Sequence, residues 1–184
     1  MASRRDDEDW NALAIATRGE TGKALSLLGE VGRFRTGGYP QVLIGTVARP
    51  GGRLLDGIDA LAAGGERTEG VVDRLVPVED AVSFPGDDVT ETLCERLEPL
   101  APRLCGRTYY VRTHLRGMKG RIEHPAVERA LGDFLWEFAA RAGEPPKVTF
   151  RDPDVVVIVE VVGRRAGYAF LGREERARAL IKVR

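Results

Sequence analysis

Residues 109–121, YYVRTHLRGMKGR, carry Arg112, Arg116, Lys119 and Arg121 together with His114, and no carboxylate follows until Glu123. If a strand is followed here by a loop, alternation sends Tyr109, Val111, Thr113 and Leu115 to one face. Tyr110, Arg112, His114 and Arg116 then share the other. That second face interleaves an aromatic ring with cations, a combination suited to phosphates and stacked bases. Gly117-Met118-Lys119-Gly120-Arg121 follows as a flexible basic loop and feeds a helix that Pro125 opens. A helix start presents unpaired amides and positive partial charge, and glycines let an anion approach the backbone. Strand face, loop and helix start together predict one polyanion site. Arg164 and Arg165, at the tip of a later hairpin, extend it in this reading, with Arg173, Arg176 and Arg178 beyond; Glu174 and Glu175 weaken the extension. The competing reading pairs Arg112 and Arg116 with carboxylates of neighbouring elements and leaves the loop merely solvated.

Other candidate chemistry is weaker. GETGKA (19–24) superficially resembles a phosphate loop, but only two residues separate its first glycine from Gly-Lys, and Ala24 stands where a magnesium-binding Ser or Thr belongs. His114 and His124 are the only histidines and have no cysteine or carboxylate cluster at ligand spacing, so no metal or cofactor is expected. Asp152 and Asp154 flank Pro153 ahead of an apolar run, which points to a turn more than to paired catalytic carboxylates. Cys94 falls among apolar helical positions, and with Cys105 it makes no Cys-x-x-Cys pair.

The elements that must position the basic stretch belong to a chain of 184 residues with a formal net charge of zero. Anion binding must therefore come from local clustering, not from the whole surface. There is no signal peptide and no apolar run long enough to span a bilayer, so the expected compartment is the cytoplasm. Residues 1–9 read as a tail. Residues 10–17 read as a strand, 22–34 as a helix, 41–48 as a strand, 53–65 as a helix and 72–84 as a strand. Pro85-Gly86-Asp87-Asp88 marks a module boundary, giving 10–87 and 88–184. Beyond it come a helix broken by Pro99 and Pro102, the strand 108–115, an amphipathic helix through AVERALGDFLWEFAARAG, a short strand at 148–150, and VVVIVEVV (155–162), whose β-branched run suits a strand buried on both faces. GRRAG then turns the chain into YAFLG as a hairpin.

The chain resembles the THUMP-domain family of RNA-binding proteins in TYYVRTHLRGMKGRI, in VERALGDFL and in FRDPDVVVIVEVVGRRAGYAFLGRE. It is similar in particular to the short subgroup that assists tRNA acetylation. Residues 10–34 and 71–84 are similar to the ferredoxin-like module that accompanies THUMP domains. The resemblance implies an α+β fold, a ferredoxin-like module at 10–87 packed with a THUMP-type domain at 88–184. It also implies a tRNA-binding module that recognises the acceptor stem and 3′ end, with Arg112, Arg116, Lys119 and Arg121 on the family's basic motif. Larger relatives carry a methyltransferase, deaminase or 4-thiouridine synthetase domain. None is expected here, so the expected protein is not an enzyme but a non-catalytic adaptor presenting tRNA to a separate modification enzyme, a tRNA cytidine acetyltransferase among them. A small phosphate-handling hydrolase of ferredoxin-like fold and a protein-interaction module with a basic face remain alternatives.

Overall fold

The computed structural model describes residues 10–47, 56, 57, 59, 60, 63 and 68–183. Two sheets organise the fold. The first contains β1 (Ala12–Ala16), β2 (Arg33–Thr36), β3 (Val42–Thr46) and β4 (Val72–Pro77) in the order β2-β3-β1-β4, antiparallel throughout. Helix α1 (Thr21–Leu28) crosses between β1 and β2 and buries Ala24, Leu27 and Leu28. Residues 56, 57, 59, 60 and 63 are helical; the rest of the helix expected at 53–65 lies outside the described residues, as does the expected tail at 1–9.

The helix expected over 22–34 ends six residues early, and β2 takes its last residues. Gly29 and Gly32 interrupt the helical periodicity, and the Phe34 ring lies against Gly45, where a Cβ would meet it at 2.5 Å. The run 72–84 is two strands. After β4 the chain leaves the first sheet at Val78, and β5 (Asp80–Ser83) joins the second.

The second sheet has the order β5-β9-β8-β6-β7, with β6 (Thr108–Arg116), β7 (Lys147–Val148), β8 (Val155–Val162) and β9 (Arg165–Gly172). β6 and β8 run parallel, while β8 and β9 form the hairpin. Helix α2 (Val89–Leu97) passes into a 3₁₀ segment (Glu98–Leu104) that accommodates Pro99 and Pro102, and α3 (His124–Ala142) packs its Val127, Leu131, Leu135 and Ala139 stripe on one sheet face. A single turn, α4 (Arg173–Arg176), follows β9.

Every residue of β8 is buried, which is why it reads as a valine run. Val155, Val157, Val159 and Val161 face the helical core, whereas Ile158 and Val162 join the core shared with the first sheet. The C-terminal segment seals the seam between sheets: Leu180 and Ile181 enter the first core, and the Leu75 amide donates to the Leu180 carbonyl at 2.8 Å. The fold is thus α+β, as expected. Among the described residues no helix is long and apolar enough to cross a membrane.

Candidate nucleic-acid interface

β6 alternates between half-buried and buried along its whole length, with Tyr109, Val111, Thr113 and Leu115 inward. Tyr110, Arg112, His114 and Arg116 share the opposite face, but that face does not have one environment. Its C-terminal half is covered by the first sheet. There Arg74 of β4, 5% exposed, donates to Glu160 of β8 at 2.8 Å and to His114 Nε2 at 2.8 Å, while Arg116 donates to the other Glu160 oxygen at 2.5 Å. Burial pushes the Glu160 carboxyl up and the Arg74 guanidinium down. Each charge is nevertheless the other's nearest partner, and two guanidiniums on one carboxylate hold it ionised.

His114 accepts Arg74's hydrogen and therefore carries its own proton on Nδ1. Burial first, then Arg74, Arg116, Arg112 and His124, push its pKa down from the ordinary 6.5 to about 3. The unfolded chain takes up a proton below pH 6.5 that the folded chain refuses until about 3. Stability present above that range is therefore lost as the pH falls through it, at no more than about 1.4 kcal/mol per pH unit. Replacing His114 by Gln should flatten the difference between urea unfolding at pH 7 and pH 4.5 relative to wild type. Both His114 and Arg116 thus face the seam between sheets, where Glu160 answers Arg116's charge.

The loop after β6 lies at the end of the sheet where the β8–β9 hairpin turns. The Gly163 amide donates to the Arg116 carbonyl at 3.2 Å, so loop and hairpin tip are neighbours. The turn at 85–88 gathers the cations: Arg121 lies 3.4 Å from Asp87, in an ion pair half open to water, and Arg164 donates to the Gly86 carbonyl. Lys119 is exposed. Arg165 instead runs back along β5, donating to the Ala81 carbonyl at 2.8 Å and reaching Ser83 Oγ at 3.4 Å. Lys119, Arg121 and Arg164 therefore converge at one end of the sheet.

Tyr110 does not join them. Six residue steps along the strand, roughly 20 Å, separate it from Arg116. Tyr110 instead meets Phe150, with ring centroids 5.2 Å apart, and Arg112 lies over the Tyr110 ring at 5.7 Å, its Nη1 3.6 Å from Glu128. Phe150 carried no signal in the sequence beyond closing a short apolar run. Asp154 occupies the same end in a structural role: its carboxylate accepts from the Thr108 amide at 2.8 Å and hydroxyl at 2.7 Å, bonds that hold its pKa below the usual range. Arg173 pairs with Asp152 and Asp154, and Arg176 donates to the Pro153 carbonyl, so both lie away from the basic loop; Arg178 pairs with Asp59. Among the described residues no group of three His, Cys, Asp or Glu could hold a metal.

No family model matches the chain, and no curated protein matches it by sequence. Solved structures do. TrmN from Thermus thermophilus superposes with a TM-score of 0.56 at 20% identity over 86% of this chain. A 4-thiouridine synthetase, solved in complex with RNA and bound ATP, gives 0.55 at 11% over 88%, and a predicted N6-adenine-specific DNA methylase from Listeria monocytogenes gives 0.50 at 12% over 89%. At these identities the likeness establishes the fold. The chain spans 44%, 41% and 40% of those three chains, less than half of each. The expectation that the protein is not an enzyme is corrected by these matches. Its fold recurs inside chains described as a synthetase and a methylase.

Proposed function

We propose that the protein is a tRNA-binding unit that takes the acceptor stem and 3′ end and delivers them to the active centre of a tRNA-modifying enzyme. The observation that carries this reading is the convergence of Lys119, Arg121 and Arg164 on one end of the second sheet, where Asp87 is the one carboxylate paired with any of them among the described residues. Shared fold with a synthetase crystallised on RNA supports RNA as the polyanion. The sequence resemblance supports tRNA, and a tRNA cytidine acetyltransferase as the enzyme served in the cytoplasm. In this reading residues 88–184 form the RNA-binding THUMP unit and residues 10–87 its ferredoxin-like companion. Lys119, Arg121 and Arg164 grip backbone phosphates, and Arg112 supplies a further cation beside Tyr110. Arg116 and His114 hold the strand that presents the loop, and Arg165 braces β5 beneath the hairpin tip.

The exposed Arg121–Asp87 pair is worth little and opens readily to a phosphate. Replacing Lys119, Arg121 and Arg164 together by Ala should weaken tRNA binding about tenfold at low salt. It should also reduce the slope of log K against log salt by about one for each phosphate that is no longer neutralised, with the melting temperature unchanged. Filter binding across a salt series reads both. Equal slopes for wild type and variant would remove the loop from the interface.

A further inference from the structure

A sheet edge is a row of unpaired amides and carbonyls unless something covers it, and the two sheets end in β2, β4, β5 and β7. Three of these edges are closed. Along β4 the Leu75 amide donates to the Leu180 carbonyl at 2.8 Å and Lys182 donates to Asp73 at 3.0 Å, so the C-terminal segment lies over it. On β5 the Ala81 amide donates to Asp80 Oδ1 at 2.9 Å, and the Ala81 carbonyl accepts from Arg165 at 2.8 Å. β7 is two residues long, too short to hold an added strand.

β2 differs. The Gly37 amide donates to the Val42 carbonyl at 2.8 Å, and the register pairs Arg33 with Thr46 and Arg35 with Ile44. Antiparallel pairs alternate between bonded and unbonded. Arg33 and Arg35 therefore direct their backbone groups to β3, while the N–H and C=O of Phe34 and Thr36 turn outward. Among the described residues nothing pairs with those outward groups. Side chains alternate too, so Arg33 and Arg35 share one face of the strand and Phe34 and Thr36 the other. A groove of about 360 Å³, lined by Trp10, Arg33, Phe34, Arg35, Ile44 and Thr46, runs beside them.

Donors and acceptors side by side match the backbone of another strand; a phosphate would use the amides and be repelled by the carbonyls. A second copy of this chain is a poor match. Pairing β2 with itself through both Phe34 and Thr36 sets Arg35 against its own counterpart, and like charges directly opposite destabilise a pair. Carboxylates at alternate positions of an added strand would instead stand opposite Arg33 and Arg35, at the unbonded positions where side chains approach most closely.

We propose that the β2 edge is a docking site for an extended acidic segment of a partner protein. The segment extends the four-stranded first sheet antiparallel to β2, bonded to Phe34 and Thr36, with carboxylates opposite Arg33 and Arg35. This surface goes beyond the tRNA-binding reading and does not depend on it.

The test is fluorescence anisotropy on the full chain with a labelled peptide Thr-Val-Glu-Val-Glu-Val-Thr and with the same peptide carrying Lys for Glu. The acidic peptide should bind about tenfold tighter than the basic one. N-methylation of its valine amides keeps the charge but removes the donors, and should bring its affinity down to that of the basic peptide. Thr36→Pro removes an outward N–H at an edge position that tolerates proline, and should weaken the acidic peptide about tenfold with melting temperature and tRNA binding unchanged. Arg33→Glu should narrow the preference between the two peptides. No binding, equal binding of the two peptides, or an N-methylated peptide that binds like its parent overturns the proposal. A Thr36→Pro effect confined to self-association overturns it too, because the edge then meets a second copy. Binding that appears only after Asp6, Asp7, Glu8 and Asp9 are replaced by their amides overturns it as well, since the chain's own acidic stretch then holds the edge. Arg33→Glu that weakens tRNA as much as it weakens the acidic peptide gives the face to RNA and has the same consequence.

Discussion

Glu160→Ala is expected to lower the unfolding free energy by roughly 3–5 kcal/mol, more than any other single polar substitution in this chain. The residue is fully buried in the centre of β8 and receives Arg74 from the first sheet and Arg116 from β6. Truncating it leaves two guanidiniums without their carboxylate, and an arginine cannot shed its charge to escape. Desolvation without compensation is what costs. The pair of arginines would also repel one another and draw water into the seam between sheets. Glu160→Gln keeps one acceptor and should fall between alanine and wild type. Replacing Arg74, Arg116 and Glu160 together by Met should recover most of the loss, since removing every charge leaves none unpaired. Urea titrations followed by circular dichroism measure all three. A Glu160→Ala protein within about 1 kcal/mol of wild type would show that the network contributes little to holding the sheets together.

That carboxylate also shows where sequence reading reached its limit. The run VVVIVEVV read correctly as a strand buried on both faces, and β6 alternates as its pattern required. A carboxylate in the middle of such a strand demands cations, a signal that the reading of the run as a buried strand passed over. Which cations answer it was not legible, because Arg74 lies 86 residues away on another sheet. Arg116 is an ion-pair partner of Glu160, while Lys119, Arg121 and Arg164 gather at the sheet end. The strand's own length separates Tyr110 from that cluster, a consequence of the rise of about 3.3 Å per residue that a continuous-site reading overlooked. The switch between sheets at Val78–Glu79 left no periodicity break. It is enforced by tertiary bonds: the Glu79 amide donates to the Tyr168 carbonyl at 2.8 Å, and its carboxylate accepts from the Phe170 amide at 2.9 Å. The expectation of a non-enzyme rested on the absence of a catalytic signature, and it is corrected by the fold's occurrence inside chains described as a synthetase and a methylase.

Gly117→Val is expected to destabilise the chain by about 2–5 kcal/mol and to weaken tRNA binding, whereas Gly120→Val should cost only about 1–2 kcal/mol. Both glycines bracket the basic loop and both adopt left-handed backbone, with φ of +91° and +76°. Strain from a side chain at positive φ is therefore common to the two. The surroundings differ. A Cβ at 117 would stand 2.2 Å from the Tyr39 hydroxyl and 3.5 Å from the Gly163 backbone, while a Cβ at 120 meets nothing within 4 Å. Tyr39 belongs to the segment between β2 and β3, so the first sheet's loop presses directly on the point where β6 turns into its basic loop. Overpacking there must push Tyr39 away or displace the loop with Lys119 and Arg121 on it. If Tyr39 is the obstacle, Tyr39→Ala in the Gly117→Val background should restore part of the stability, because a cavity replaces a clash. The pair of single variants and the double variant, compared by thermal unfolding and by tRNA binding, separates steric conflict from backbone strain. Equal losses at 117 and 120 would leave strain alone as the cause and remove Tyr39 from the positioning of the loop.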